Sequence, residues 1–346
     1  MAFRLGIVGC GSVSERHARG AAASSEVAIV ACADLRLEAA EDWAERHGCE
    51  RAYGNYTDML AGHELDGVLL ATWPNLHRDQ VLGCLEAGVR AILCEKALAL
   101  TGGEALEIWE AAREAGALVT EGYMYRHHPA VARIDEVLAS GRIGTVDSIH
   151  AAFSIFDPEE AAPEDLSRDW RQRVELGGGA PYDLACYCVD ACNRFAGARP
   201  HRAHAVTGTS VRYGTVSRVF GLIEYENGVV GTVESSMRAD FNHELRINGA
   251  DGHVRLPVAW RIDFPTEVVV SRSVGWGLVE EERFPAPAVD AYRLELESFA
   301  AAARGTAEPA PTLAESVVTA HTLDALLAGG RDGAAVAVDL PEDVPA

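Results

Sequence analysis

Residues Phe3–Ser14 read FRLGIVGCGSVS: six residues with the short, apolar look of a buried strand, then Gly9-x-Gly11-x-x-Ser14. Glycine at position 9 allows a tight turn out of the strand. Glycine at 11 lets a pyrophosphate approach the backbone where a helix begins, at Ser12 and Val13, and the free N–H groups and dipole of that helix start favour an anion. Ser14 is a small-residue variant of the third glycine. Two glycines in a strand-to-helix turn are commonplace, so the motif gains its weight from its place at the first strand and from Asp34 at the end of the second apolar run. An aspartate there can accept hydrogen bonds from an adenosine ribose and repel a 2′-phosphate, which points to NAD. It can equally cap the helix that follows, and Arg36 two residues on offers a place for the extra phosphate of NADP, the second choice.

Outward from this turn, apolar runs near 3–8, 27–33, 66–72, 89–95 and 117–122 alternate with helical stretches. That alternation predicts a Rossmann-type, doubly wound parallel sheet over residues 1–123. Thr101 and Glu104 read as a capping box, and Gly88 and Gly116 as helix ends. From about 200 the pattern becomes longer alternating segments with tight turns at Asn227-Gly228 and Asp251-Gly252, the mark of an antiparallel sheet. Residues 124–346 are therefore expected to form an α/β substrate domain with a large, open, mainly antiparallel sheet. Helices are expected after Pro129 and from the run Gly177-Gly-Gly-Ala-Pro181, with an amphipathic helix over 290–303.

With 346 residues, 48% hydrophobic and 24% charged, the chain has the composition of a globular protein of two domains, and no apolar run is long enough to span a bilayer. The formal net charge of −22 disfavours nucleic acid and anionic membrane as partners. The opening residues lack the features of a secretory leader, and the eight cysteines mostly sit in apolar runs, so a cytoplasmic protein with free thiols is expected.

Among 30 basic residues there is a single lysine, Lys96, in the stretch ILCEKAL (92–98). A bare positive charge does not need lysine here, because arginine serves everywhere else. Lysine differs in having a pKa that moves on burial, so it can take part in proton transfer. Its place just past the carboxyl end of a parallel strand, where ligands of such sheets bind, favours a functional role over drift in an arginine-rich composition. In GGGAPYDLACYCVD (177–190), Asp183 and Tyr187 fall at i and i+4 of a helix, on one face. Together they could bind and deprotonate a hydroxyl, or serve as a cap and a half-buried core residue. The glycines before them would let the helix end approach a ligand. The nearby Cys186, Cys188 and Cys192, and the pairs His127-His128 and His201/His204, lack metal-site spacing.

The segments GIVGCGSVSERH, ATWPNLHRDQVLGCLEAGVRAILCEKALALT, EGYMYRHHPAVARIDEVLASGRIGTV, DWRQRVELGGGAPYDLACYCVD and YRLELESFAAAARG, in that order, resemble the glucose–fructose oxidoreductase, inositol dehydrogenase and rhizopine catabolism (Gfo/Idh/MocA) family over nearly the whole chain. The resemblance implies an NAD(P)-dependent oxidoreductase that moves a hydride between nicotinamide and a CH–OH or carbonyl carbon of a sugar, polyol or related diol. It implies that Glu95 and Lys96 match the family's Glu-Lys-Pro motif at the nicotinamide, with Ala97 in place of the proline. Asp183 and Tyr187 match its second motif, and the tyrosine resembles the aldose and dihydrodiol dehydrogenase branch. Thr72, Asn75 and His77 match its cofactor-side loop, and Trp170 and Arg171 a pair near the nicotinamide. Loss of the proline is expected to loosen or re-aim Lys96.

On this reading Tyr187 accepts the hydroxyl proton, helped by the Lys96 ammonium, while Asp183 orients a second hydroxyl; the roles of Lys96 and Tyr187 are interchangeable at this level. Tyr123 and Arg126 are candidate substrate contacts, or hinge and packing residues. Loops around 123–128 and 154–172 would set specificity. A homodimer or homotetramer through the second sheet follows from the resemblance. Two other activities fit the same motifs: glycoside cleavage by transient oxidation with bound NAD, and a non-catalytic nucleotide sensor.

Overall fold

The computed structural model describes residues 1–156, 169–260, 264–276 and 278–345. Residues 157–168 of the expected specificity loop lie outside the described residues. The chain begins with β1 (Phe3–Val8), α1 (Ser12–Ala22), β2 (Val27–Ala33), α2 (Leu37–His47), β3 (Arg51–Tyr53) and α3 (Tyr56–Gly62). It continues through β4 (Gly67–Leu70), α4 (Pro74–Glu86), β5 (Ala91–Glu95), α5 (Gly102–Ala115) and β6 (Leu118–Gly122). Then come α6 (Pro129–Ala139), β7 (Val146–Phe156), α7 (Cys186–Ala196), β8 (Pro200–Thr209), β9 (Val216–Tyr225) and β10 (Val230–Ser236). β11 (Arg238–Asn242), β12 (Leu245–Gly249), β13 (Gly252–Leu256), β14 (Thr266–Gly275) and β15 (Leu278–Ala286) complete the strand-rich part. α8 (Ala291–Ala303), α9 (Leu313–Asp332) and β16 (Val336–Ala337) close the chain.

Two compact units result, residues 1–127 with 290–316, and residues 128–289 with 317–346. The first contains a parallel sheet in the order β3-β2-β1-β4-β5-β6, a doubly wound arrangement whose strand order reverses between β1 and β4. All five expected strands are present. β3 was not expected, because three residues, Arg51-Ala-Tyr53, are too few to show a period. Thr101 caps α5 by accepting the Glu104 N–H at 3.1 Å, and Glu104 returns a bond from the Leu100 N–H at 2.9 Å.

The division expected after residue 123 differs: the first unit runs to residue 127 and takes back residues 290–316, among them α8. Its Leu296, Phe299 and Ala300 enter the same core as Phe3, Leu5, Ala18, Ala21 and Val27, so the chain returns to finish a core begun some 280 residues earlier in sequence. Gly20 on α1 admits it; a Cβ there would lie 2.7 Å from the Arg293 nitrogen.

The second unit carries a ten-stranded sheet in the order β15-β14-β13-β12-β7-β10-β9-β8-β16, with β11 added beside β7. All its pairings are antiparallel except β7 with β10. α7 packs on β7 and β10. The helix expected from Pro181 opens with a π-helical turn, Pro181–Ala185, before α7 proper.

Candidate active site

In the first unit, β1 ends at Gly9, whose φ of +93° no L side chain adopts readily; a Cβ there would also strike the Ala71 carbonyl oxygen at 2.6 Å. Gly11 is different. Its backbone is extended, it precedes α1 with no side chain capping the helix, and nothing lies within 4 Å of where its Cβ would be. The N–H groups of α1's first turn, at Ser12 and Val13, thus open onto free space, a cradle that fits a dinucleotide pyrophosphate. Ser14 is buried, its hydroxyl donating to the Gly11 carbonyl at 2.6 Å, which explains a polar residue at the third position of the fingerprint.

Asp34 closes the other side of this turn. One carboxylate oxygen accepts the Cys10 N–H at 3.1 Å and the other the Arg36 N–H at 2.9 Å. The side chain therefore ties the glycine turn to the β2–α2 turn, and it is not the N-cap of α2, which begins at Leu37 behind Arg36. The Arg36 guanidinium is 78% exposed and stands 3.7 Å from Asp34.

The loop after β5 is held from three directions. Glu95 accepts the Lys96 N–H at 3.2 Å, Glu121 accepts the Leu98 N–H at 2.8 Å, and buried His77 of α4 faces the Ala97 carbonyl with Nδ1 at 2.8 Å and the Thr72 carbonyl with Nε2 at 3.2 Å. Burial lowers the His77 pKa, against the opposing pull of these two carbonyls. His77 acts as a brace for the lysine loop. The Lys96–Ala97 peptide is cis. Thr72 is secured by its hydroxyl, which donates to Gln80 at 2.5 Å, and Asn75 is half-buried in the first turn of α4, its Oδ1 without a hydrogen-bond partner among the described residues. Tyr123 is fully buried edge-on to Tyr125, and Arg126 is buried with a guanidinium nitrogen 2.8 Å from Glu315. These two placements match packing and bracing.

In the second unit, Asp183 sits in the π-helical turn, 7% exposed, and its carboxylate accepts from Arg171 Nε at 2.8 Å. The Asp183 charge, foremost, raises the Arg171 pKa. The Arg171 guanidinium also lies 5.0 Å from the centre of the Trp170 ring. Gly178 makes this possible: a Cβ there would collide with the Trp170 and Arg171 carbonyl oxygens at 2.5 and 2.7 Å. The glycine run thus receives the Trp170–Gln172 turn, where the sequence suggested an approach to a ligand. Tyr187 is buried against Phe153 and Trp260, with ring centres 5.4 and 5.9 Å away, and His243 stacks on Phe153 at 5.1 Å. Sequence reasoning missed this aromatic group. Alternation along β7 marks Phe153 as a possible inward residue, but nothing local ties it to Trp260, 107 positions on.

A glycine-turn cradle at the switch point of a doubly wound sheet, with a braced lysine past β5, two strands from β1, fits a dinucleotide-binding enzyme. Comparison narrows the class. Residues 3–123 match the model for the oxidoreductase family with an NAD-binding Rossmann fold, and residues 131–255 match the GFO/IDH/MocA C-terminal domain. The chain belongs to the GFO/IDH/MocA family and is an NAD(P)-dependent oxidoreductase. It is 32% identical over 335 residues to a D-xylose 1-dehydrogenase (NADP(+)) of Haloferax volcanii, covering 97% of this chain and 99% of that protein. It is 30% identical to the trans-1,2-dihydrobenzene-1,2-diol dehydrogenase of Mus musculus, covering 83% and 81% respectively. A 3-ketoreductase of Actinomadura kijaniata, solved with NADP and TDP-benzene, is 25% identical with a TM-score of 0.83, covering 95% of this chain and 98% of its own. A levoglucosan dehydrogenase solved with NADH and L-sorbose shares the fold at 23% identity, with a TM-score of 0.87 over 99% and 100%.

Proposed function

We propose that the protein interconverts a CH–OH group and a carbonyl on a sugar, polyol or related diol. The observation that carries this reading is the chain's only lysine, held past β5 by Glu95, His77 and Glu121 in the unit that bears the dinucleotide cradle. Names of relatives support the substrate class: xylose and a dihydrodiol are small vicinal hydroxyl compounds. Bound nicotinamide supplies the hydride chemistry; the residues of this chain supply position and proton handling. Lys96 polarises the reacting oxygen and shares in the proton transfer as a coupled pair with Tyr187. Tyr187 accepts the hydroxyl proton during oxidation, from a ring set by Phe153 and Trp260, and Asp183, anchored by Arg171, orients a second hydroxyl.

Asp34 supports NAD as the preferred cofactor, and the exposed Arg36 guanidinium beside it supports use of NADP as well. The acidic surface suits a small, uncharged substrate better than nucleic acid or membrane. Among the described residues no helix is long and apolar enough to cross a membrane, and with all eight cysteines as free thiols a cytoplasmic setting is consistent. A second copy is the expected macromolecular partner. Val206 and Phe220 pair across β8 and β9 with 63% and 43% exposure, beside Leu222 at 49%, an apolar face on the broad sheet.

The first test is a spectrophotometric screen of NAD and NADP reduction over aldoses, polyols, deoxy sugars and aromatic diols, run with Lys96→Arg alongside. Arginine keeps the charge but cannot give up a proton, so turnover is expected to fall roughly 10²–10⁴-fold while cofactor binding persists. Near-normal turnover in the variant would refute a proton-transfer role for Lys96. Sedimentation is expected to show a dimer or tetramer, and a monomer at micromolar concentration would remove the sheet-face interface.

A further inference from the structure

Lys96 stands on a buried polar chain that none of the sequence motifs explains. Glu95 has one oxygen on the Lys96 N–H and the other 2.7 Å from His17 Nε2. His17, from α1, is fully buried and packed edge-on to Tyr292 of α8 with ring centres 4.9 Å apart. Its Nδ1 has no hydrogen-bond partner among the described residues and lies 3.9 Å from Oε2 of Glu295 on α8. Glu295 is 1% exposed, and neither of its oxygens has a hydrogen-bond partner among the described residues.

One imidazole thus stands between two buried carboxyl groups. The His17 ring is hydrogen-bonded to Glu95 at 2.7 Å, and Glu95 also has a backbone donor. Among the described residues Glu295 has no hydrogen-bond partner, its nearest imidazole nitrogen standing 3.9 Å away, and a buried carboxyl without a compensating hydrogen bond prefers its neutral form.

We propose that Glu295 is a proton-holding positioning residue: it is a neutral acid in the folded protein at neutral pH. Its ionisation at alkaline pH adds a negative charge which, through His17 and Glu95, helps keep Lys96 an ammonium. The last step rests on the reading of Lys96 as an active-site group.

Burial, first, and then the charge of Glu95 push the Glu295 pKa well above the ordinary carboxyl range. The titratable side chains around it are His17 from α1, Glu95 from β5 and His127 from the turn after β6. The other charged groups nearby are otherwise engaged. Arg293 and Glu297 of α8 pair with each other at 3.1 Å, Arg16 lies over the Tyr292 ring, Glu121 of β6 holds the Leu98 N–H, and Arg126 pairs with Glu315. β2, which also contacts α8, has no charged side chain. Glu295, Thr120, His127 and Ser298 line a cavity of about 10 Å³, room for about one water to hydrogen-bond the acid.

The test compares the unmodified protein with Glu295→Gln, which keeps the shape and cannot ionise. A carboxyl whose folded pKa is raised stabilises the fold below its unfolded value, near 4.5, and that stabilisation is lost as pH rises toward the folded value. Wild-type Tm is therefore expected to drop relative to the variant, by a margin that widens steadily from pH 5 to pH 8. Parallel Tm curves would overturn the proposal. Glu295→Met provides a second neutral replacement of similar length; failure of both variants to fold would also overturn it, because a site built for a neutral acid accepts a neutral side chain. With a substrate in hand, the alkaline limb of kcat should move to lower pH in Glu295→Gln with KM unchanged. A uniform fall in kcat at every pH would overturn the link to Lys96. If no dehydrogenase turnover is found at all, the parent reading fails, and the Tm comparison still decides the protonation of Glu295.

Discussion

Gly9 and Gly11 are two residues apart and answer to different demands. Gly9 is required by the fold: its positive φ and the Ala71 oxygen leave no room for a side chain. Gly11 has ordinary dihedrals and empty space above it, so the fold makes no demand on it. Gly11→Ala should leave stability within about 0.5 kcal/mol while weakening NAD(P) binding, because the methyl occupies the pyrophosphate cradle. Gly9→Ala should cost about 1–3 kcal/mol of stability with or without cofactor. Denaturant titration and cofactor titration of both variants separate these effects, and an unaltered cofactor affinity in Gly11→Ala would remove the cradle from the binding site. The fingerprint itself was readable at residue scale, as was the oddity of Lys96. What holds each was not: Asp34 on the glycine turn, and His77, Glu95 and Glu121 around the lysine loop, are contacts between elements that sequence spacing does not encode.

At the scale of elements, α8 makes the strongest claim. Its amphipathic pattern over 290–303 predicts a helix without saying which core receives it, and the answer lies in Gly20, a glycine that sequence reading passed over. Leu296 is fully buried in the core of the first unit. Leu296→Ala is expected to cost about 2–5 kcal/mol, and Gly20→Val to destabilise as well by driving a side chain into the α8 backbone. Equilibrium unfolding measures both. If neither variant shifted the midpoint, α8 would not be part of that core. The π-helical start at Pro181 belongs to the same scale. Helical periodicity put Asp183 and Tyr187 at i and i+4 of an α-helix, whereas the first turn is wound more loosely, so the spacing found the helical stretch without describing its backbone.

For the whole molecule the dominant physical fact is charge. With 52 acidic residues against 30 basic ones, the folded chain carries a net repulsion that salt screens. Tm is expected to rise as KCl increases from 0.1 M to the molar range, and a flat or falling curve would show that the acidic surface is already balanced locally by ion pairs such as Arg4–Glu50 and Arg78–Glu107.

Alternation of apolar runs, turn glycines and caps determined the two kinds of sheet and the nucleotide end of the first one, because those signals are local and each stretch carries its own period. The rarity of lysine and the order of motifs determined the chemical class. Tertiary structure alone decided that α8 rejoins the first core, that Arg171 anchors Asp183, that Phe153 and Trp260 set Tyr187, and that Glu295 lies against His17. Each of these joins residues far apart in the chain through packing and desolvation, and burial energies depend on which surfaces meet, a property no single stretch of sequence possesses.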